Sequence, residues 1–355
     1  MRVISNNNEL ARMKSKGKKI TIYEVASRAG VAISTVSRVI NDSPNVSQRT
    51  KDKVNEAIQA LNFRPQVSAR KLASQEPQML AIALPSFTTP YYTEILKGVK
   101  DEIQEMDLDI VIYNTGSKNP TEGVENFFNR GTADAVIIIS IDITENVHHL
   151  LQSSEIPIIL IGSSHPEYNY FELNNRMGGF LAGEHLIKQG YERLGMIKPV
   201  VSTKPSKERE IGFIEALREF KMPIDQKLFV SGKSEKHAGF TEEAGFEAVY
   251  EYDRLGQFPD AIFCANDTQA IGAYHALDKL GMRIPEDIGL MGYDNIKFTK
   301  YLDLTTIDQK MHAVGIKAIK RLAEMIKTGD SDRIQQVIDP IIMARNSTQN
   351  PKKPA

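Results

Sequence analysis

A chain of 355 residues, with 44 Lys and Arg against 45 Asp and Glu and 41% apolar residues, has room for a small module beside a large two-lobed domain. No apolar run approaches the ~18 residues that span a membrane, and the N-terminus lacks the apolar core of a secretion signal. The lone Cys264 rules out an intrachain disulfide, as suits a reducing cytoplasm. The net charge of −1 hides an asymmetry: residues 1–74 hold 14 Lys and Arg against 5 Asp and Glu, about +9, and the remainder is about −10.

Residues 1–19 are polar, Asn-rich and then Lys-rich, and read as a disordered basic tail, with Met13 as an alternative start. The stretch from Ile20 to Ser74 organises the rest of the chain. Thr21 with Glu24 three residues on is a capping-box pattern, and Ile22, Val25, Ala26 and Ala29 fall on one helical face. Gly30 permits a left-handed turn, and Val31 plugs the angle before a second helix over about Ser34 to Asn41. That helix should bury Val36, Val39 and Ile40 and leave Ile33, Ser34, Ser37 and Arg38 outside. Two short helices around a Gly turn make a helix-turn-helix, although a generic helical hairpin shows the same pattern. A third helix, capped near Ser47, carries the stripe Val54, Ala57, Ile58 and Leu61. After Arg64-Pro65 comes a helix-prone run, Val67 to Ala73. A basic module on an acidic body is the electrostatic footprint of phosphate-backbone binding.

From Met79 the pattern changes to apolar strands alternating with amphipathic helices. Strands are expected at Met79–Leu84, Asp109–Tyr113, Ala135–Ile139, Ile156–Ile161, Arg193–Ile197, Ala261–Cys264 and Ile288–Gly292, with helices at Tyr92–Met106 and Glu122–Arg130. Val-, Ile- and Leu-rich strands spaced by helices signal parallel sheets covered on both faces. Enzymatic motifs are missing: there is no phosphate loop, zinc His-Glu-x-x-His or nucleophile elbow. Neighbouring His148 and His149 face different sides of a helix and read as surface residues. Cys264 reads as a buried packing residue.

Ala29-Gly-Val31, Thr35-Val-Ser-Arg-Val-Ile-Asn41, Arg64-Pro65 and Ser68-Ala-Arg-Lys-Leu-Ala-Ser74, in register, resemble the lactose-repressor/galactose-repressor (LacI/GalR) family of bacterial transcription regulators. The resemblance extends to nearly the whole chain. It implies an N-terminal all-α helix-turn-helix module with a hinge helix, followed by an α/β two-lobed periplasmic-binding-protein-like domain of two parallel sheets flanked by helices. The expected division is a tail over 1–19, the DNA-binding module over 20–64, hinge helix and linker over 65–77, the effector and dimerisation domain over 78–345, and a flexible tail over 346–355. Lobe 1 would take about 78–189 and 309–338, and lobe 2 about 190–308 and 339–345, with crossings near Gln189, Asp308 and Asp339.

By the same resemblance, DNA contacts fall on Thr21, Ile33, Ser34, Thr35, Ser37, Arg38, Asn41, Ser47, Ala69 and Leu72. Arg38 can pair with guanine, Ile33 can touch a thymine methyl, and Leu72 is the minor-groove wedge. Ala32 replaces the usual capping Ser and Gln66 the usual Asn. In the cleft, Tyr91 and Tyr92 follow the first strand and offer ring faces and hydroxyls. Arg209 and Phe240 match effector-binding positions, Asn174 replaces an Asp, and Asn266, Asp267 and Asp294 stand at strand ends, where polar groups point into a cleft. These features imply a cytoplasmic regulator, a repressor of carbohydrate uptake or breakdown genes. It would be a homodimer or a tetramer on near-palindromic operator DNA, controlled by a small sugar-like effector, with no cofactor and no membrane partner. Alternatives are a catabolite regulator controlled by a phosphorylated protein partner, and a sugar-binding receptor without operator activity.

Overall fold

The computed structural model describes residues 20–40, 43–63, 79–104, 106, 108–130, 133–330 and 332–352. The expectations for the 1–19 tail, Asn41, the Arg64-Pro65 hinge start, Ala69 and Leu72 lie outside those residues. The chain divides into two compact units, Met1–Glu76 and Pro77–Ala355.

In the first unit, α1 (Ile22–Ala29), α2 (Ile33–Ile40) and α3 (Gln48–Leu61) enclose Val25, Ala26, Val36, Val39, Val54 and Ala57. The Glu24 carboxylate accepts the Thr21 amide at 2.7 Å, fixing the start of α1. Gly30, at φ +66°, ends that helix in the left-handed region. Ser47 caps α3, its hydroxyl accepting the Thr50 amide at 3.4 Å. The periodicity placed these helices to within a residue or so, because each is read from an apolar stripe and a cap.

The second unit has two lobes. In lobe 1, β1 (Met79–Leu84), α4 (Pro90–Ile103), β2 (Asp109–Asn114), α5 (Pro120–Phe128), β3 (Ala135–Ile139), α6 (Glu145–Ser153), β4 (Ile158–Ile161) and β5 (Asn169–Leu173) succeed one another in order. Its parallel sheet begins at one edge with a late strand, β11 (Gln335–Ile338), and runs β11-β5-β4-β3-β1-β2. Alternation along β1 shows why these strands are apolar on both sides. Leu80, Ile82 and Leu84 pack against α4 and a late helix, while Ala81 and Ala83 face α5 and α6.

Lobe 2 begins earlier than expected. Helix α7 (Asn175–Lys188) buries Ala182 and Leu186 with Leu194, Phe213 and Phe263, the core of lobe 2. The first crossing is therefore at Asn174, not near Gln189, and residues 175–189 leave lobe 1. Then come β6 (Leu194–Lys198), α8 (Lys204–Glu219), β7 (Phe229–Ser231), α9 (Glu242–Leu255), β8 (Ala261–Cys264), α10 (Asp267–Lys279), β9 (Gly289–Met291) and β10 (Thr306–Asp308), with a parallel sheet ordered β7-β6-β8-β9. The chain returns to lobe 1 for α11 (Met311–Thr328) and β11 (Gln335–Ile338), then crosses back for β12 (Ile341–Met343), antiparallel to β10. These second and third crossings lie where expected, near Asp308 and Asp339.

The segment expected to be a flexible tail is packed as far as Asn350. Asn346–Thr348 form a 3-10 turn with Ser347 and Thr348 buried. Ser347 Oγ donates to Leu290 O at 2.6 Å, Thr348 Oγ1 meets His185 Nε2 at 2.8 Å, and Asn350 Nδ2 donates to Gly190 O at 3.1 Å. Its polar residues belong to lobe 2 because they satisfy buried strand carbonyls and hydroxyls.

Candidate functional site

The first candidate surface is the outer face of α2. Ile33, Ser34 and Arg38 are exposed, Thr35 and Ser37 half-buried, while Val36 and Val39 anchor the helix from behind. Ala32 leaves the helix start without a side-chain cap, as the sequence implied; its carbonyl accepts the Thr35 amide at 2.9 Å. Thr21 and Ser47 stand exposed at the N-termini of α1 and α3, where helix amides and the dipole favour an anionic group. Tyr23, 68% exposed on α1, is an aromatic that the sequence does not single out. A polar neighbourhood hides it, since a lone Tyr outside an apolar stripe carries no periodic signal.

The second site is a cavity of about 210 Å³ between the lobes of the second unit. Both lobes line it at the C-terminal ends of their strands, as the parallel topology dictates. Of the expected cleft residues, Tyr91, Tyr92, Arg209, Phe240, Asn266 and Asp294 are in its wall. Tyr91 and Tyr92 meet edge to face at 5.0 Å, and Tyr91 Oη lies 3.3 Å from Ser140 Oγ. Burial pushes the Tyr91 phenol up to about 12, so it stays a neutral donor and acceptor.

Arg209 is the centre of the wall. It is 5% exposed, and its guanidinium lies over the Tyr293 ring at 3.8 Å. Nε donates to Asn175 Oδ1 at 2.8 Å and Nη1 to Ala265 O at 2.6 Å, while Nη2 stands 3.8 Å from Asp294 Oδ1. Asp294, itself at φ +116°, accepts Gln309 Nε2 at 2.6 Å. Burial raises the Asp294 carboxyl to about 6, with the Arg209 charge pulling the other way. Gln309 Oε1 is buried with no partner. Asn266 spends its carbonyl on capping α10, accepting the Gln269 amide at 2.9 Å.

Two expected cleft residues point elsewhere. Asn174 caps α7 through Met177 and donates Nδ2 to Asp339 Oδ1 at 2.8 Å, tying the first crossing to the third. Its neighbour Asn175 takes the place in the cavity wall. Asp267 is 0% exposed and accepts Thr306 Oγ1 at 2.6 Å and the Ile296 amide at 2.9 Å, so it braces the loop behind Asp294. Burial, with the Asp294 charge, lifts its carboxyl to about 7. Missed residues are Asn175, Gln309 and His237, among others, in the wall, and Tyr293, which lies behind the wall under Arg209. Tyr293 and Gln309 had a signal, since each adjoins a strand end already singled out.

His148 is not a plain surface residue: its Nδ1 meets Tyr168 Oη at 2.9 Å and its ring stacks 4.4 Å from His165. Cys264 is buried in β8, as a packing residue should be. Among the described residues no cluster of three or more His, Cys, Asp or Glu could hold a metal, and no helix is long and apolar enough to cross a membrane.

Two family models match: bacterial regulatory proteins, lacI family, over residues 21–66, and a periplasmic binding protein-like domain over residues 184–348. The HTH-type transcriptional repressor PurR of Actinobacillus pleuropneumoniae serotype 3 is 32% identical over 342 residues, 94% of this chain and 99% of its own. The transcriptional regulator CelR–cellobiose complex shares 26% identity, covers 92% of this chain and 99% of its own, and superposes with a TM-score of 0.65. The lac repressor dimer bound to operator and the anti-inducer ONPF is 24% identical over 93% of this chain and 99% of its own, with a TM-score of 0.75, a likeness of fold alone.

Proposed function

The chain belongs to the lacI family of bacterial regulatory proteins, a DNA-binding transcription repressor, and from that premise we propose that a small, neutral, hydroxyl-rich ligand held between its lobes sets its grip on operator DNA. The observation that carries this reading is the Arg209–Asp294–Gln309 wall. Three of its polar ends compensate one another. The guanidinium charge is shared with Asp294, Asn175 and Ala265 O, which leaves little uncompensated positive charge to attract a phosphate or a carboxylate. The unpartnered Gln309 Oε1 is an acceptor waiting for a ligand donor, and an unmade buried hydrogen bond costs on the order of 1–3 kcal/mol. Phe240, Tyr92 and Tyr91 offer apolar ring surface beside these groups, the usual pairing in a sugar site. The cellobiose in the related CelR complex is consistent with the same ligand class.

On DNA, α2 would present Ile33, Ser34 and Arg38 to the major groove, and Thr21, Thr35, Ser37 and Ser47 to phosphates. A near-palindromic operator calls for two copies, hence a homodimer or a pair of dimers. Carbohydrate uptake or breakdown genes are the natural targets of a repressor that senses a sugar.

The test is a thermal-shift screen of the purified full chain against neutral sugars, sugar phosphates, sugar acids and purines. A ligand at a hundred times its Kd adds about 2.7 kcal/mol, roughly 5–10 °C for a domain of this size. Shifts confined to neutral sugars support the reading. Shifts confined to an anionic or a purine class would replace it. Adding the hit to a salt-titrated DNA complex then gives the sign of regulation.

A further inference from the structure

Besides the shared wall and the crossings, side-chain hydrogen bonds and ion pairs join the two lobes at two places among the described residues. Lys204 Nζ reaches Glu172 Oε1 at 2.9 Å, and Ser117 Oγ lies 3.3 Å from His237 Nδ1. The first pair is close to the hinge, for Glu172 is two residues before the Asn174 crossing. The second is far from it. Two of the three crossings leave lobe 1 from β5 and β11, at one edge of the sheet, whereas Ser117 comes just after β2, the opposite edge strand. Four strand spacings separate β2 from β5, on the order of 19 Å.

The arm that carries His237 is built to be stiff. Residues Lys236–Gly239 form a short turn in which His237, Ala238 and Gly239 have φ of +49°, +61° and +95°. Three left-handed residues in a row are rare, and His tolerates that region better than most side chains. Lobe 2 holds the turn from behind: Val201 N–H donates to Ala238 O at 3.1 Å, and buried Gln269 donates Nε2 to Gly239 O at 2.8 Å. A Cβ on Gly239 would come within 2.6 Å of Val200 N, so the backbone is pressed against the lobe. The His237 ring reaches out to lobe 1, and Ser117, His237 and Ala238 all line the cavity.

We propose that the Lys236–Gly239 turn is a latch, in which the His237–Ser117 hydrogen bond fastens the two lobes over the cavity, across the lobe-1 sheet from two of the three crossings. A modest bond suffices there, because the lever arm multiplies the force resisting opening. The latch joins two residues of the cavity wall, one from each lobe, so it sets how readily the cleft admits and releases a ligand. This rests on the reading of the cleft as a ligand site, deepens it, and can be tested without knowing the ligand.

The test uses a reporter thiol. Ser86 is buried in the cavity wall and Cys264 is buried elsewhere, so in the full-length Ser86→Cys protein the cavity thiol is reached by iodoacetamide only when the cleft opens. Labelling at residue 86 is tracked by mass spectrometry in that background, alone and combined with Ser117→Ala, His237→Ala or His237→Asn. Cys264 must stay unmodified, which shows that the fold is intact. Ser117→Ala and His237→Ala should each speed labelling roughly three- to tenfold, the worth of one hydrogen bond. His237→Asn, which keeps a polar group near the Nδ1 position and tolerates positive φ, should restore the slow rate. Unchanged rates in both Ala variants overturn the latch. A faster rate in His237→Ala without one in Ser117→Ala, or no rescue by Asn, shows that the turn or the ring fills space and also overturns the bond. If the latch variants behave as expected but no neutral sugar slows labelling in any of them, the ligand reading fails and the latch stands.

Discussion

Arg209 is a single side chain whose neighbours decide what it can do. Stacked on Tyr293 and bonded to Asn175 and Ala265 O, it is held in one rotamer and aimed at the cavity beside Asp294. Arg209→Ala should abolish the ligand-induced thermal shift and the DNA response while leaving salt-dependent DNA binding unchanged. A normal shift in the variant would remove Arg209 from the site. Arg38 is exposed on the outer face of α2. Arg38→Ala should weaken operator binding by about 1–3 kcal/mol and relax specificity at one base pair. Equal affinity of the unmutated protein for the operator and its single-base variants would contradict that role. Asp267 has a raised carboxyl, so the stability it contributes is present below about pH 4 and is lost as pH rises toward about 7. The melting-temperature advantage of the native chain over Asp267→Asn should therefore be larger at pH 5 than at pH 8, and an advantage that does not change between them would mean that the carboxylate is ionised throughout. Arg209 and Asp294 could be read from the sequence, because they adjoin recognisable segments. Asn174 and Asp267 misled for a physical reason: a polar residue at a strand end can cap a helix or brace a loop as well as face a ligand, and sequence alone does not separate these uses.

At the scale of elements, the position of Arg209 depends on how closely α7 and α8 approach. A Cβ on Gly179 would fall 2.0 Å from Arg209 O, and one on Gly212 would fall 1.8 Å from Arg176 O. The helices touch backbone to backbone, and bulk at either position must push α8 outward. Gly179→Ala should cost about 1–3 kcal/mol of stability as an overpacking change and weaken the ligand-induced shift along with it. Full retention of both, measured by melting temperature with and without ligand, would show that the contact yields cheaply. The helix-turn-helix and the apolar strands were legible because each declares itself in a single period, 3.6 or 2. The lobe assignment of α7 was not legible. Its lobe-2 face is lined by Gly178, Gly179, Ala182 and Gly183, small residues that mark closeness to another helix without saying which one.

In the whole molecule, the division into lobes results from three crossings, and two of the three could be placed from the sequence. Asn174 explains both the error and the design. Its amide donates to Ile338 O at 3.0 Å and its side chain to Asp339, so the first and third crossings are stitched side by side into one hinge. Each lobe is consequently assembled from separated stretches of chain. Lobe 1 lacks α11 and β11 until residue 338, and lobe 2 lacks β12 until residue 343, whereas the core of the three-helix unit is complete by Phe63. Domains fold as they emerge during synthesis, N-terminal first. A newborn chain thus has its DNA-reading unit long before either lobe of the second unit can close, and a premature stop anywhere in between would release a reader without its completed lobes.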